Sequence, residues 1–163
     1  MNVEQMTVDE FVSAAGRINN SVDENRAFKQ INSQLKHLPH VQERLALQLM
    51  PVAWQALQCK NDVQALDLVG LAKCFNASIG PKRLEYVTWL ERIGFRCFEL
   101  LEESPKPLPE NTRLEFIMSL VFLGLNEIDK RRRDHIFEAL KRRCSDPRLS
   151  DMRDVLCRIE RDS

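Results

Sequence analysis

Seven cations fall within 14 residues of this sequence: Lys130, Arg131, Arg132 and Arg133, followed by Lys141, Arg142 and Arg143. Guanidinium groups in such a run make forked hydrogen bonds to phosphate or carboxylate oxygens, so the segment suits RNA or an acidic partner helix. Asp129, Asp134 and Glu138 offset part of that charge. The competing reading is a solvated helix with cations gathered near its C-terminal end, where the helix dipole favours them. Trp54, Trp89 and Tyr86 are the residues whose rings could stack on bases, as single-strand binders require. Their neighbours Val52, Val87 and Leu90 argue instead for packing within an amphipathic helix, and Trp89, beside Thr88 and Glu91, is the one expected nearest the surface. Pro105, Pro107 and Pro109 form the third candidate. A pre-extended proline segment loses little entropy on docking, which favours contact with a partner.

Catalytic and metal chemistry has no comparable signature. His37 and His40 straddle a proline with no acidic or thiol residue close by, which reads as a surface loop rather than a metal pair. Cys59, Cys74, Cys97, Cys144 and Cys157 are odd in number and widely spaced, without the close pairs of a zinc site. Cys74 and Cys97 lie among Ala72, Phe75, Phe95 and Phe98 and are expected in the core. Such cysteine usage suits a reducing compartment. Nucleophile-elbow, P-loop, dinucleotide-binding and H-E-x-x-H patterns do not occur. The expectation is a non-enzymatic chain with no catalytic residues, metal, cofactor or small-molecule substrate.

The elements that position these residues are constrained by composition. The chain has 163 residues, 44% of them apolar, with 24 Lys and Arg against 24 Asp and Glu. One domain of that length buries a real core, while zero net charge argues against a protein that works mainly by coating a polyanion. No window approaches the roughly 18 consecutive apolar residues of a membrane span. Glu4, Asp9 and Glu10 give the first ten residues the wrong sign for a basic mitochondrial presequence.

Apolar residues recur at intervals of three and four, so an all-α domain over residues 1–163 is predicted, with about eight helices. Thr7 to Glu10 and Ser21 to Glu24 match the S/T-x-x-E capping box and predict helix starts near 8 and 22. Leu38-Pro39 ends the second helix, and a third runs over about 40–58, with Pro51 expected to kink it or mark a shortened first turn. Asn61-Asp62 opens a fourth over about 62–77, and Gly80-Pro81 a fifth over about 81–103. Three more are placed at about 111–124, 129–144 and 150–161.

Phe28, Ile31 and Leu35 share one helical face, and the same spacing returns at Ala65, Leu68 and Ala72 and at Leu114, Ile117 and Val121. Tyr86, Val87 and Leu90 recur in kind as Ile136, Phe137 and Leu140. Three helix-turn-helix repeats, at about 22–60, 61–103 and 111–144, follow from this, with capping helices at 8–19 and 150–161. Such units stack into a short right-handed or gently curved α-solenoid. The alternative is an irregular helical bundle whose amphipathic helices share the spacing by chance.

Residues 63–78, Val-Gln-Ala-Leu-Asp-Leu-Val-Gly-Leu-Ala-Lys-Cys-Phe-Asn-Ala-Ser, and residues 113–126, Arg-Leu-Glu-Phe-Ile-Met-Ser-Leu-Val-Phe-Leu-Gly-Leu-Asn, resemble first helices of organellar helical repeats. The resemblance is to octotricopeptide and FAST-kinase-like arrays, with pentatricopeptide repeats as more distant relatives, and it covers about residues 25–144 through a loose motif. It implies a mitochondrial or plastid location, and RNA handling or a structural place in a large organellar complex such as an ATP synthase, a ribosome or an RNA-processing assembly. Base-reading positions of the pentatricopeptide kind cannot be placed on this sequence, no terminal RAP-like domain is present in it, and three units would read little sequence. The leading expectation is therefore a scaffold or adaptor subunit that binds another protein within a mitochondrial complex, without membrane insertion. An RNA-binding repeat module using helix 130–143 is the second expectation. Without the resemblance, a cytoplasmic location would be expected.

Overall fold

The computed structural model describes residues 2–103 together with residues 113, 114, 117, 118, 120, 121 and 138. Among the described residues the secondary structure is helical throughout, with no strand. A 3-10 turn at Val3–Gln5 leads into α1 (Val8–Gly16), α2 (Val22–Leu35), α3 (Pro39–Gln58) and α4 (Asp62–Lys73). A second 3-10 turn at Asn76–Ser78 precedes α5 (Arg83–Glu103).

Local chemistry explains the starts. At α1 the full capping box forms: Thr7 Oγ1 accepts from the Glu10 amide at 3.1 Å, and Glu10 Oε2 accepts from the Thr7 amide at 3.1 Å. At α2, Ser21 Oγ accepts from the Glu24 amide at 3.1 Å, which satisfies one of the otherwise orphaned first-turn donors. Pro39 occupies the start of α3, where its missing N–H costs nothing. Asn61 Oδ1 caps α4 by accepting from the Gln64 amide at 3.2 Å.

The connection from α3 to α4 is only Cys59 to Asn61, and its geometry is a Schellman turn. The Asn61 amide donates to the Ala56 carbonyl at 2.9 Å and the Lys60 amide to the Leu57 carbonyl at 3.0 Å. Lys60 sits at φ 59°, the left-handed region that usually calls for glycine. So short a link makes α3 and α4 antiparallel neighbours.

α3 is the central helix. It packs most extensively on α4, then on α5, and also meets the Asn76–Ser78 turn, α1 and α2. Leu45, Ala46, Leu49, Met50, Ala53 and Leu57 of α3 are completely buried. Ala65, Leu68, Val69 and Ala72 meet them from α4, and Tyr86, Val87, Leu90, Ile93, Cys97 and Phe98 join the same core from α5. Each buried leucine contributes about 1.5–3 kcal/mol relative to exposure. The small side chains of Ala53, Ala65 and Ala72 suit the close approach of helix axes. Of the recurring triplets, Ala65-Leu68-Ala72 and Leu114-Ile117-Val121 are fully buried, while Phe28 and Ile31 are half-buried above a fully buried Leu35.

Pro51 lies exposed within a helix assigned without a break from Pro39 to Gln58. Three local expectations are revised. α4 stops at Lys73 rather than about 77. Its end tightens so that Phe75 and Ile79 enter the core, with the Phe75 ring 5.5 Å from that of Phe11, and this same turn leaves Cys74 exposed rather than buried. α5 begins at Arg83, with Pro81 in the preceding turn. Predicted helices 129–144 and 150–161 lie outside the described residues, apart from Glu138, which is helical and exposed.

Candidate functional site

Of the residues singled out as partner contacts, Lys130, Arg131, Arg132, Arg133, Lys141, Arg142, Arg143, Pro105, Pro107 and Pro109 lie outside the described residues. Trp89 is within them. It is half-buried on α5, and Trp54 on α3 is half-buried as well, both packed at the edge of the core. Tyr86 is completely buried and offers no stacking face to solvent.

Helix spacing builds the site around Trp89. Residues three apart on a helix are surface neighbours, so Arg92 lies over Trp89 on the same side of α5. The Arg92 guanidinium carbon is 4.7 Å from the Trp89 ring centroid. Because α5 also packs on α3, the same guanidinium carbon lies 5.7 Å from the Trp54 ring. Both distances fall within the range of cation–π attraction, worth about 0.5–1 kcal/mol at an exposed site. Among the described residues, Arg92 makes no hydrogen bond or ion pair, and its side chain is exposed. Arg96, one turn further on, is different: its Nη1 pairs with Glu99 at 2.9 Å and with Glu103 at 3.8 Å. Trp54 and Trp89 are the only tryptophans in the chain.

A second polar cluster holds the frame on which this site is built. Gln42 and Glu43 are each only 9% exposed, in the first turns of α3. Gln42 accepts a hydrogen bond from the Ser78 hydroxyl. Glu43 Oε2 accepts from the Gly80 amide at 2.6 Å and, more distantly, from the Lys82 amide at 3.5 Å. The carboxylate therefore sits at the turn that launches α5, where amide donors and the helix dipole both favour a negative charge. Arg83 closes the same turn by donating from Nη1 to the carbonyls of Asn76 at 3.2 Å and Ile79 at 3.3 Å. These contacts fix where α5 begins relative to α3, and so where Trp89 and Arg92 meet Trp54.

The thiols and histidines contribute differently. Burial pushes the Cys97 thiol well above its ordinary pKa, and the nearby Asp62 charge raises it further, so Cys97 stays protonated and inert. Cys59 and Cys74 are exposed. His37 and His40 are also exposed, at the loop and helix start where the sequence placed them. Among the described residues no three His, Cys, Asp or Glu side chains converge as metal ligands, and no helix is long and apolar enough to cross a membrane.

Sequence reasoning overlooked Arg92 and Glu43. Arg92 carried a signal, a cation three residues after a tryptophan on one helix. Glu43 carried none, since its partner amide is 37 positions away. No protein-family model matches the chain, and comparison with curated proteins and with solved structures gives no match.

Proposed function

We propose that this chain is a non-enzymatic helical scaffold or adaptor that binds another protein within a larger, mitochondrial assembly. The observation that supports it best is the recurrence of one buried face at equivalent spacing: Ala65, Leu68 and Ala72 on α4, then Leu114, Ile117 and Val121. Successive helices that bury the same face against their neighbours are the ingredient of a stacked array, and such arrays expose an extended surface for partners. In this reading α3 and α5 are second helices of consecutive units and pack on each other, and the more extensive packing of α3 on α4 also joins one unit to the next. The short solenoid, its eight helices and its three repeats belong to the same proposal. The mitochondrial setting rests on the resemblance of residues 63–78 and 113–126 to organellar repeats.

Affinity capture of the tagged full chain from its native source tests this reading. It predicts one partner protein at fixed stoichiometry, retained after nuclease treatment. Recovery of the chain alone would defeat it. The charge run at 130–143 supports the second reading, an RNA-binding module. That reading predicts salt-dependent RNA affinity that collapses when Arg131, Arg132 and Arg133 are changed to Glu.

A further inference from the structure

We propose that the Trp54–Arg92–Trp89 ladder anchors the partner-binding surface, and that the partner is a helix presenting one carboxylate, flanked by apolar side chains, to the Arg92 guanidinium. The inference deepens the scaffold reading and rests on it. Its starting point is an exposed arginine with no hydrogen bond or ion pair among the described residues, lying over two indole rings. Two indoles within 5.7 Å hold the guanidinium carbon, so the side-chain entropy that an arginine loses on pairing is largely spent before a partner arrives. A guanidinium stacked on rings keeps its in-plane N–H edge available, and that edge matches a carboxylate in a two-bond fork.

The composition around the ladder is that of a protein-binding anchor. Tryptophan and arginine are the residue types most enriched where binding energy concentrates, and such anchors are ringed by polar contacts that exclude water. Here Gln58 lies about one turn after Trp54, and Thr88 lies one turn before Arg92; both are polar and exposed. The half-buried indoles supply apolar area between them.

Charge selects a single carboxylate over a polyanion. α5 carries Arg83, Arg92 and Arg96 against Glu85, Glu91, Glu99, Glu102 and Glu103. Two of its three arginines are already engaged, Arg83 with carbonyls and Arg96 with glutamates. A nucleic acid strand would bring successive phosphates along an acidic helix and meet, on α5, one arginine without a hydrogen bond or ion pair among the described residues, whereas strand binding draws on several cations. One carboxylate set among leucine-like side chains needs only that one cation and meets less repulsion from the glutamates of α5 than a row of phosphates would.

The chain's only two tryptophans form the ladder, so its intrinsic fluorescence reads the site directly. The experiment selects binders to the folded full chain from a phage-displayed library of random 12-residue peptides, then titrates the selected synthetic peptides and oligouridylate into the protein. Peptides that share one Asp or Glu flanked by apolar residues at helical spacing are expected, and they should change the tryptophan emission saturably. Arg92→Gln and Arg92→Lys should each weaken them by about thirtyfold, the size of an interface anchor, because lysine keeps the charge but not the fork. Arg92 is exposed, and circular dichroism of both variants establishes that they fold.

Failure to select any peptide, selection of peptides without carboxylates, or undiminished affinity of the Arg92→Gln variant would each overturn the proposal. So would an emission change with oligouridylate that depends on Arg92, which would make the ladder a nucleic-acid platform. Capture from the native source separates this inference from the scaffold reading. A partner retained equally by wild type and Arg92→Gln leaves the scaffold standing without the ladder, whereas no partner for either removes the scaffold itself.

Discussion

At the scale of single residues, position in the packing decides chemistry more than residue type does. Cys97 is wholly inaccessible and held protonated by burial, while Cys59 and Cys74 are exposed at the two ends of the α3–α4 hairpin. A maleimide applied to the folded protein should therefore label Cys59 and Cys74 and spare Cys97 until denaturant is added, as peptide mass mapping would show; prompt native labelling of Cys97 would contradict the packing. Glu43 illustrates the same point for a charge. Its carboxylate is nearly buried yet accepts from the amide of Gly80, an exposed residue, so Glu43→Ala removes a charged hydrogen bond that water replaces in part. Urea unfolding of Glu43→Ala should show a loss of about 1 kcal/mol. The burial of Cys97 was legible in the sequence; the exposure of Cys74 and the contact of Glu43 were not. The apolar neighbours of Cys74 and Cys97 look alike, and only the tightened end of α4, which turns Phe75 inward, sends the two thiols to opposite environments.

At the scale of elements, local signals were enough to place the helices but not to place one helix on another. Thr7, Ser21, Pro39 and Asn61 act within three or four residues, and the starts of α1 to α4 follow from them. The ladder and the Glu43 contact depend instead on how α5 crosses α3, which no run of neighbouring residues encodes. Two substitutions probe the elements themselves. Lys60 occupies a left-handed position that costs a side-chain-bearing residue about 1–2 kcal/mol, part of which glycine's greater freedom in the unfolded chain cancels. Lys60→Gly should raise stability by about 0.5–1 kcal/mol in thermal or urea unfolding. At Gly94 the constraint is space: a Cβ there would lie 3.0 Å from Val121 Cγ1. Gly94→Leu should destabilise by about 1–3 kcal/mol through overpacking, and Val121→Ala in the same chain should return part of the loss in a double-mutant cycle. Strict additivity would mean that Val121 does not pack on α5.

For the molecule as a whole, a neutral sum conceals an uneven distribution. Residues 111–163 hold 12 cations and 10 anions, with seven of the cations between 130 and 143, while α5 is acidic and carries one arginine free of hydrogen bonds and ion pairs among the described residues. As proposed, the ladder would take a protein partner and the basic run RNA. Ala65, Leu68 and Ala72, and again Leu114, Ile117 and Val121, are buried. Mass measurement of the tagged chain recovered from its native source, with and without ribonuclease, tests the central claim most directly. The account predicts one species heavier than the chain alone, at fixed protein stoichiometry and unchanged by ribonuclease. A species at the mass of the chain alone, or one that falls to that mass when RNA is digested, would contradict it.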